Sequence, residues 1–214
     1  AAALKQVDAA ENNPFECIKT NILGTQNLVE ASLEANVYKL VCISTDKAAS
    51  PSNLYGATKL CSERLILSAI NYKGNKPLTA CIVRYGNVLG SRGSVVPAFL
   101  KQLKTGTIKI TSPEMTRFNI RLEDGVNLVK WCIENMKSNE IFVPKLKSYN
   151  ILDLAEVLAP NAKREFIGKR KGEKLHEVMI TSEESLFTID KGEFYIILPT
   201  SSDEEIKEYA LKID

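Results

Sequence analysis

The chain has 214 residues, 44% hydrophobic and 25% charged, with a net charge of +2; this is a globular composition without the basic footprint of a nucleic-acid or anionic-membrane binder. Its apolar runs are far shorter than a membrane span, and Ala1-Ala-Ala-Leu-Lys5 lacks the basic-then-apolar pattern of a signal peptide. Five cysteines with no C-x-x-C pair and apolar neighbours read as buried free thiols in a reducing cytoplasm, and one histidine, His176, is too few for a zinc site, so no metal is expected.

In chain order, residues 15–35 carry Ile18, Ile22, Leu28, Val29 and Leu33 on one stripe and predict a helix. Residues 39–44 are a short, nearly continuous apolar run, the signature of a strand buried on both faces of a parallel sheet. A polar loop over 45–53 contains Pro51. A second helix over 54–71 and a second buried strand over 78–84 follow, then a turn-like stretch, Tyr85-Gly-Asn-Val-Leu-Gly90. Helix, strand, helix, strand means βαβ units and an α/β sheet.

Beyond Gly93 the texture changes. Helices are expected over 95–104, 122–136 and 151–158, with a charged helical tail from Ser202; strands are expected over 107–111, 140–143 and 194–198. The fold class is therefore α/β: part of a Rossmann-like parallel sheet plus a smaller α/β domain. The expected division gives residues 1–92, with 119–145 returning, to the sheet domain, and 93–118 with 146–214 to the smaller one.

Thr45-Asp46-Lys47 follows the first strand, and ligands in open α/β sheets bind at such carboxyl ends. Tyr55 and Lys59 are four apart on the next helix and share a face. A tyrosine base has a reference pKa of ~10 and needs a neighbouring ammonium to ionise near neutrality; Lys59 stands where it would supply one. Asp46 and Lys47 add a second acid and base that a simple dehydrogenase does not need. The Tyr-x-x-x-Lys spacing alone is weak, because the chain holds another, Tyr72-Lys-Gly-Asn-Lys76. Gly74 and Pro77 mark that copy as a helix end, and no polar strand end precedes it.

The run Ser44-Thr-Asp-Lys-Ala-x-x-Pro-x-x-x-Tyr55-Gly-Ala-Thr-Lys59 resembles the extended short-chain dehydrogenase/reductases, and among them the inverting UDP-N-acetylglucosamine 4,6-dehydratases of the pseudaminic acid type. Further matching segments are Asn21-x-x-Gly-Thr, Val83-Arg-Tyr-Gly-Asn-Val-x-Gly-Ser-Arg-Gly-Ser-Val-Val-Pro97, Met115-Thr-Arg-Phe118, Glu140-Ile-Phe-Val-Pro144 and Gly172-Glu-Lys-Leu-His-Glu177. Related membrane-bound dehydratases carry Met where this chain has Tyr55.

The resemblance implies a catalytic set of Tyr55, Lys59, Thr45, Asp46 and Lys47. Tyr55 takes the 4-hydroxyl proton while NADP (NAD as the alternative) accepts a hydride, Lys47 removes the C5 proton, and Asp46 helps the C6 hydroxyl leave. It places Tyr55, Lys59, Tyr85, Gly86, Asn87, Val88 and Lys5 at the cofactor. Asn87, Ser94, Val95, Arg117, Arg170 and Glu173 fall at a UDP-sugar substrate, with Ser94 and Val95 offering backbone N–H groups to phosphate. For Arg117 and Arg170 the competing reading is a surface ion pair; for Glu173, a solvated charge; for His176, a structural role. Lys19, like Lys5, is a candidate contact to cofactor or substrate. The helices over 15–35 and 54–71 resemble those by which extended members pair, which implies a homo-oligomer.

Sheets of this class open with a glycine-rich turn that receives the pyrophosphate. None stands near the start of the chain, so the expectation is a portion of a longer enzyme, inactive alone. Two alternatives remain open: a C4-epimerase or reductase of the same superfamily, and an inactive short paralogue acting as an assembly partner. Asp46-Lys47 argues against the former, since epimerisation through C4 oxidation needs no C5 base. The intact acid–base set argues against the latter.

Overall fold

The structure is a computed structural model that describes residues 3–137, 139–199 and 202–212. In chain order, α1 (Val7–Asn12), α2 (Pro14–Ile18), a π-helical turn (Lys19–Leu23) and α3 (Gly24–Glu34) lead to β1 (Lys39–Thr45). A short helical turn (Asp46–Ala48), α4 (Leu54–Tyr72), β2 (Thr79–Tyr85), β3 (Asn87–Val88), α5 (Val95–Gln102), β4 (Thr107–Ile110) and β5 (Thr116–Ile120) come next. Then follow α6 (Leu122–Asn135), β6 (Ile141–Pro144), β7 (Ser148–Asn150), α7 (Ile151–Leu158), β8 (Lys163–Phe166), α8 (Ser182–Ser185), β9 (Thr188–Asp190), β10 (Phe194–Ile197) and α9 (Asp203–Lys212).

The chain divides into two compact units: residues 1–85, 126–145 and 178–214, and residues 86–125 and 146–177. The first is built on a sheet ordered β1-β2-β6-β10-β9. β1, β2 and β6 are parallel; β10 and β9 add antiparallel. β2 is the buried centre. Ala80 and Ile82 point to one face, packed with Val29 of α3 and Ile66 and Ala69 of α4. Cys81 and Val83 point to the other, packed with Cys132, Phe142 and Ile196 and flanked by Trp131 and Tyr209. Period-2 alternation with helices on both faces is why this strand reads as a continuous apolar run. Each such side chain contributes about 1.5–3 kcal/mol by leaving water.

Three expectations are corrected. β1 is only partly buried: Leu40, Val41 and Cys42 are half-buried and Ile43 is exposed. Residues 178–214 belong with the large sheet, because β10 pairs with β6 along Phe194–Ile197, and residues 86–92 and 119–125 belong with the small unit, because β3 pairs with β5, which runs on to Ile120. The thiols are free, but Cys61 is exposed and Cys42 half-buried; Cys17, Cys81 and Cys132 are buried.

The second unit holds β3-β5-β7 and a parallel β4-β8 pair. Its core is Phe99, Ile108, Ile110, Met115, Ile151 and Ala155. Gly86 lies so close to β5 that a Cβ there would stand 2.7 Å from the Phe118 carbonyl oxygen, which explains a glycine ahead of Asn87 without any demand on its torsions.

Candidate active site

β1 and β2 run in register, so Ser44 faces Arg84 and Thr45 faces Tyr85 at their carboxyl ends. The chain leaves β1 through the Asp46–Ala48 turn, where the Thr45 side chain accepts from the Lys47 N–H. It then re-enters helix at α4, whose N-cap Asn53 accepts from Gly56 N–H at 2.9 Å; the Leu54 N–H donates to Glu11 at 2.7 Å. Capped at its first turn, α4 buries Thr58, Lys59, Ser62, Glu63, Ile66 and Ala69 against the sheet and α3.

The carboxylate of Asp46 is wholly buried. Its Oδ1 accepts from the Thr45 hydroxyl at 2.9 Å and from Lys47 Nζ at 3.0 Å. Its Oδ2 is buried with no hydrogen-bond partner among the described residues, an acceptor position that the fold leaves for something else to fill. Lys47 keeps 19% of its side chain exposed, so the pair sits at the boundary between core and solvent.

Tyr55 is half-buried at the start of α4. Burial pushes its phenol up to about 12; a hydrogen bond with the Thr45 hydroxyl pulls the other way, and the Asp46 carboxylate adds to the rise. Lys59 is buried, and its Nζ donates to the Ile43 carbonyl at 2.8 Å. The expectation that Lys59 brings Tyr55 down is corrected for this structure: burial wins, and the ammonium is committed to the end of β1. Burial likewise raises the Tyr85 phenol.

Beneath this layer lie residues that the sequence reading passed over. Arg84 is fully buried and forks between Glu63 and Glu184, also donating to the Met179 carbonyl at 2.9 Å. Ser44 donates to Glu63 from the strand alongside. A charge inside the run Cys-Ile-Val-Arg was the available signal, because a buried guanidinium must be partnered.

The other sequence-selected residues fall at the start of the first unit and in the second unit. Lys5 is exposed ahead of α1, and Lys19 is on the surface, 3.2 Å from Glu16. In the second unit, Asn87 and Val88 form β3 beside β5. The Ser94 N–H donates to the Ser91 carbonyl at 3.0 Å, which corrects its assignment as a phosphate donor. Its hydroxyl is buried at the start of α5, ahead of Val95, with no partner among the described residues. Arg117, Arg170 and Glu173 do come together. Arg117 is buried and donates to the Thr116 and Leu175 carbonyls; Glu173 lies 3.5 Å from it and 3.0 Å from the exposed Arg170. Burial alone would raise Glu173, but the Arg170 guanidinium, with Arg117 behind it, holds it below the usual carboxylate range. His176 Nδ1 is 2.8 Å from the Thr116 hydroxyl. Among the described residues no helix is long and apolar enough to cross a membrane.

A family model described as polysaccharide biosynthesis protein matches residues 1–199. The UDP-N-acetylglucosamine 4,6-dehydratase (inverting) of Campylobacter jejuni is 52% identical over 94% of this chain and 60% of its own length. The UDP-glucose 4-epimerase of Rickettsia canadensis is 40% identical over 98% of this chain and 63% of its own. The chain thus spans less than two thirds of these curated relatives. Among solved structures, Pen from Bacillus thuringiensis superposes at a TM-score of 0.89, with 41% identity over 95% of this chain and 65% of that one. The dTDP-glucose 4,6-dehydratase DesIV from Streptomyces venezuelae, solved with NAD, gives 0.75 at 20% identity over 86% of this chain and 64% of that one, a likeness of fold.

Proposed function

The chain belongs to the polysaccharide biosynthesis protein family, and from that premise we propose that it carries the acid–base machinery of an inverting 4,6-dehydratase acting on UDP-N-acetylglucosamine. The observation that carries this reading is the Asp46–Lys47 ion pair, buried on the carboxylate side, next to Tyr55. A C4-epimerase has no use for it.

The Rossmann-like sheet end, the Tyr55/Lys59 face and the unpartnered Asp46 Oδ2 fit a nicotinamide and a sugar at this edge. A nicotinamide held at this edge (NADP on the family resemblance) would supply the hydride acceptor for C4 and the hydride donor for C6. Tyr55 accepts the 4-hydroxyl proton. Lys59, tied to the Ile43 carbonyl, holds the start of α4 against the end of β1, and the Thr45 hydroxyl is the group that favours the ionised phenol. The C4 ketone acidifies C5. At 3.0 Å, one proton passing from Lys47 Nζ to Asp46 Oδ1 leaves an amine and a carboxylic acid together. The amine removes the C5 proton and the acid protonates the departing C6 hydroxyl. Lys47 then carries the proton and Asp46 is ionised, which restores the pair. Tyr55 gives the 4-hydroxyl proton up to solvent, and a solvent-derived proton delivered to C5 from the opposite face inverts it. Arg117 and Arg170 take the diphosphate, with Glu173 at the uridine ribose. The same resemblance supports a cytoplasmic homo-oligomer serving pseudaminic acid and flagellin or surface-glycan modification.

The test is turnover of UDP-N-acetylglucosamine in heavy water. A 4-keto-6-deoxy product with C5 inverted and deuterated is expected. An unlabelled C4 epimer would establish the epimerase reading instead.

A further inference from the structure

Gly56 occupies the first turn of α4 with an ordinary right-handed backbone, and it is absent from the positive-φ glycines. Its freedom is unused there, and a helical glycine costs about 1 kcal/mol relative to alanine. The compensating reason is contact. A Cβ at Gly56 would stand 2.3 Å from the Lys47 carbonyl oxygen, 3.2 Å from the Lys47 carbonyl carbon and 3.1 Å from Pro51 Cβ. Backbone oxygen and a proline ring cannot swing aside as the tip of a flexible side chain can. Gly24, in α3, is the counter-example: its Cβ would meet only the Lys19 oxygen at 3.6 Å, an ordinary contact.

We propose that Gly56 is a positioning residue: by having no side chain it lets the helix of Tyr55 and Lys59 abut the Asp46–Lys47 turn, and so fixes the spacing between the proton-abstracting pair and the phenol. The two sets lie on different elements, the turn after β1 and the start of α4. Asn53 draws the Gly56 N–H inward at 2.9 Å, and Gly56 touches the backbone of Lys47 directly. An alanine drives the turn and the helix apart, while Lys59, held from β1 at Ile43, stays with the strand. The catalytic consequence rests on the dehydratase reading; the placement of Lys47 does not.

The experiment has two arms. In the first, limited acetylation of the protein followed by mass spectrometry reads how tightly Lys47 is held on Asp46. Gly56→Ala should speed labelling of Lys47 about tenfold, the scale of losing a hydrogen bond to a charged group. Lys73 and Lys76, tied to the Leu78 and Leu33 carbonyls, should not change, nor should Gly24→Ala alter any of the three. Equal acceleration at all three lysines, or none at Lys47, overturns the proposal. Asn53→Ala, which releases the first turn without adding a side chain, gives a second route if Gly56→Ala folds poorly; it too must accelerate Lys47 selectively. In the second arm, with cofactor and UDP-N-acetylglucosamine, Gly56→Ala should slow water loss more than C4 oxidation, so that the 4-keto sugar accumulates. An equal fall in both steps overturns the positioning role. Absence of water loss from the unsubstituted enzyme would instead sink the dehydratase reading, with the labelling arm still deciding what Gly56 holds.

Discussion

Arg84 and Glu63 form an ion pair with 0% and 2% of their side chains exposed, Nη2 lying 2.7 Å from the carboxylate. Each stands close to a catalytic candidate: Arg84 precedes Tyr85 on β2, and Glu63 is one helical turn beyond Lys59 on α4. Glu184, itself part of a capping box with Thr181, closes the fork at 2.8 Å. The pair therefore locks β2, α4 and α8 together under the Tyr55 layer.

Breaking such a pair from one side leaves a buried charge alone. Glu63→Gln or Arg84→Met should each cost about 3–5 kcal/mol in urea unfolding. The double substitution should cost less than the sum, because neither charge is then orphaned by the other's loss. Additive losses would mean that the two side chains stabilise the fold independently.

How far the sequence carried is clearest at these residues. The strand ends, the α4 face and the Asp46–Lys47 turn were readable, because apolar period and local chemistry are properties of neighbours in the chain. The domain boundary at residue 178 was not, since it depends on β10 pairing with β6 some fifty residues upstream. Burial of Tyr55, which overrides Lys59, and the close approach behind Gly56 are likewise facts of packing that spacing does not encode.

Alkali should unfold the protein cooperatively. Burial pushes the Cys132 thiol up to about 12, with Glu140 adding to the rise, and Tyr55 also to about 12. In the unfolded chain a thiol ionises near 8.5 and a phenol near ~10. Between those values and about 12 the native state binds more protons than the unfolded one, so stability falls as pH rises through that window. The urea midpoint should decline steadily from about pH 9 upward. Cys132→Ala should start lower, through its cavity, but flatten the first part of the decline. An unchanged slope would mean that Cys132 titrates as an ordinary thiol.

The C-terminal helix α9 is fastened through Tyr209, whose hydroxyl donates to the fully buried Glu140 at 2.5 Å while the Lys137 ammonium lies 5.5 Å from its ring. Tyr209→Phe keeps the ring and removes the donor. The expected cost is about 1–3 kcal/mol for a carboxylate left short of a partner. Hydrogen exchange should show it first in the amides of α9, with those of β2 unaffected. Uniform acceleration would contradict a local fastening.

Separating the two proposed catalytic pairs requires two substitutions read by two assays. Tyr55→Phe should slow C4 oxidation by about 10²–10⁴-fold, the range for removing a general base, with everything downstream limited by that loss. Lys47→Ala should leave C4 oxidation near its original rate and block water loss, so that stoichiometric reduced cofactor appears on mixing. If Lys47→Ala also abolished that transient, the ammonium would be serving Tyr55 rather than C5.

The substitutions Arg117→Ala and Arg170→Ala should part company in a way their burial dictates. Arg117 holds two backbone carbonyls of its own unit, so its loss affects folding as well as ligand. Arg170 keeps 61% of its side chain in solvent and pairs with Glu173 at 3.0 Å. Exposed pairs stabilise by about 0–1 kcal/mol, so Arg170→Ala should barely move the urea midpoint. UDP binding, followed by calorimetry, should nevertheless weaken by about 1.5–3 kcal/mol for a lost charge-assisted contact, and less at high salt because an exposed guanidinium is screened. A variant that binds UDP as before would assign Arg170 to a structural surface role and leave the buried Arg117 as the phosphate candidate of that cluster.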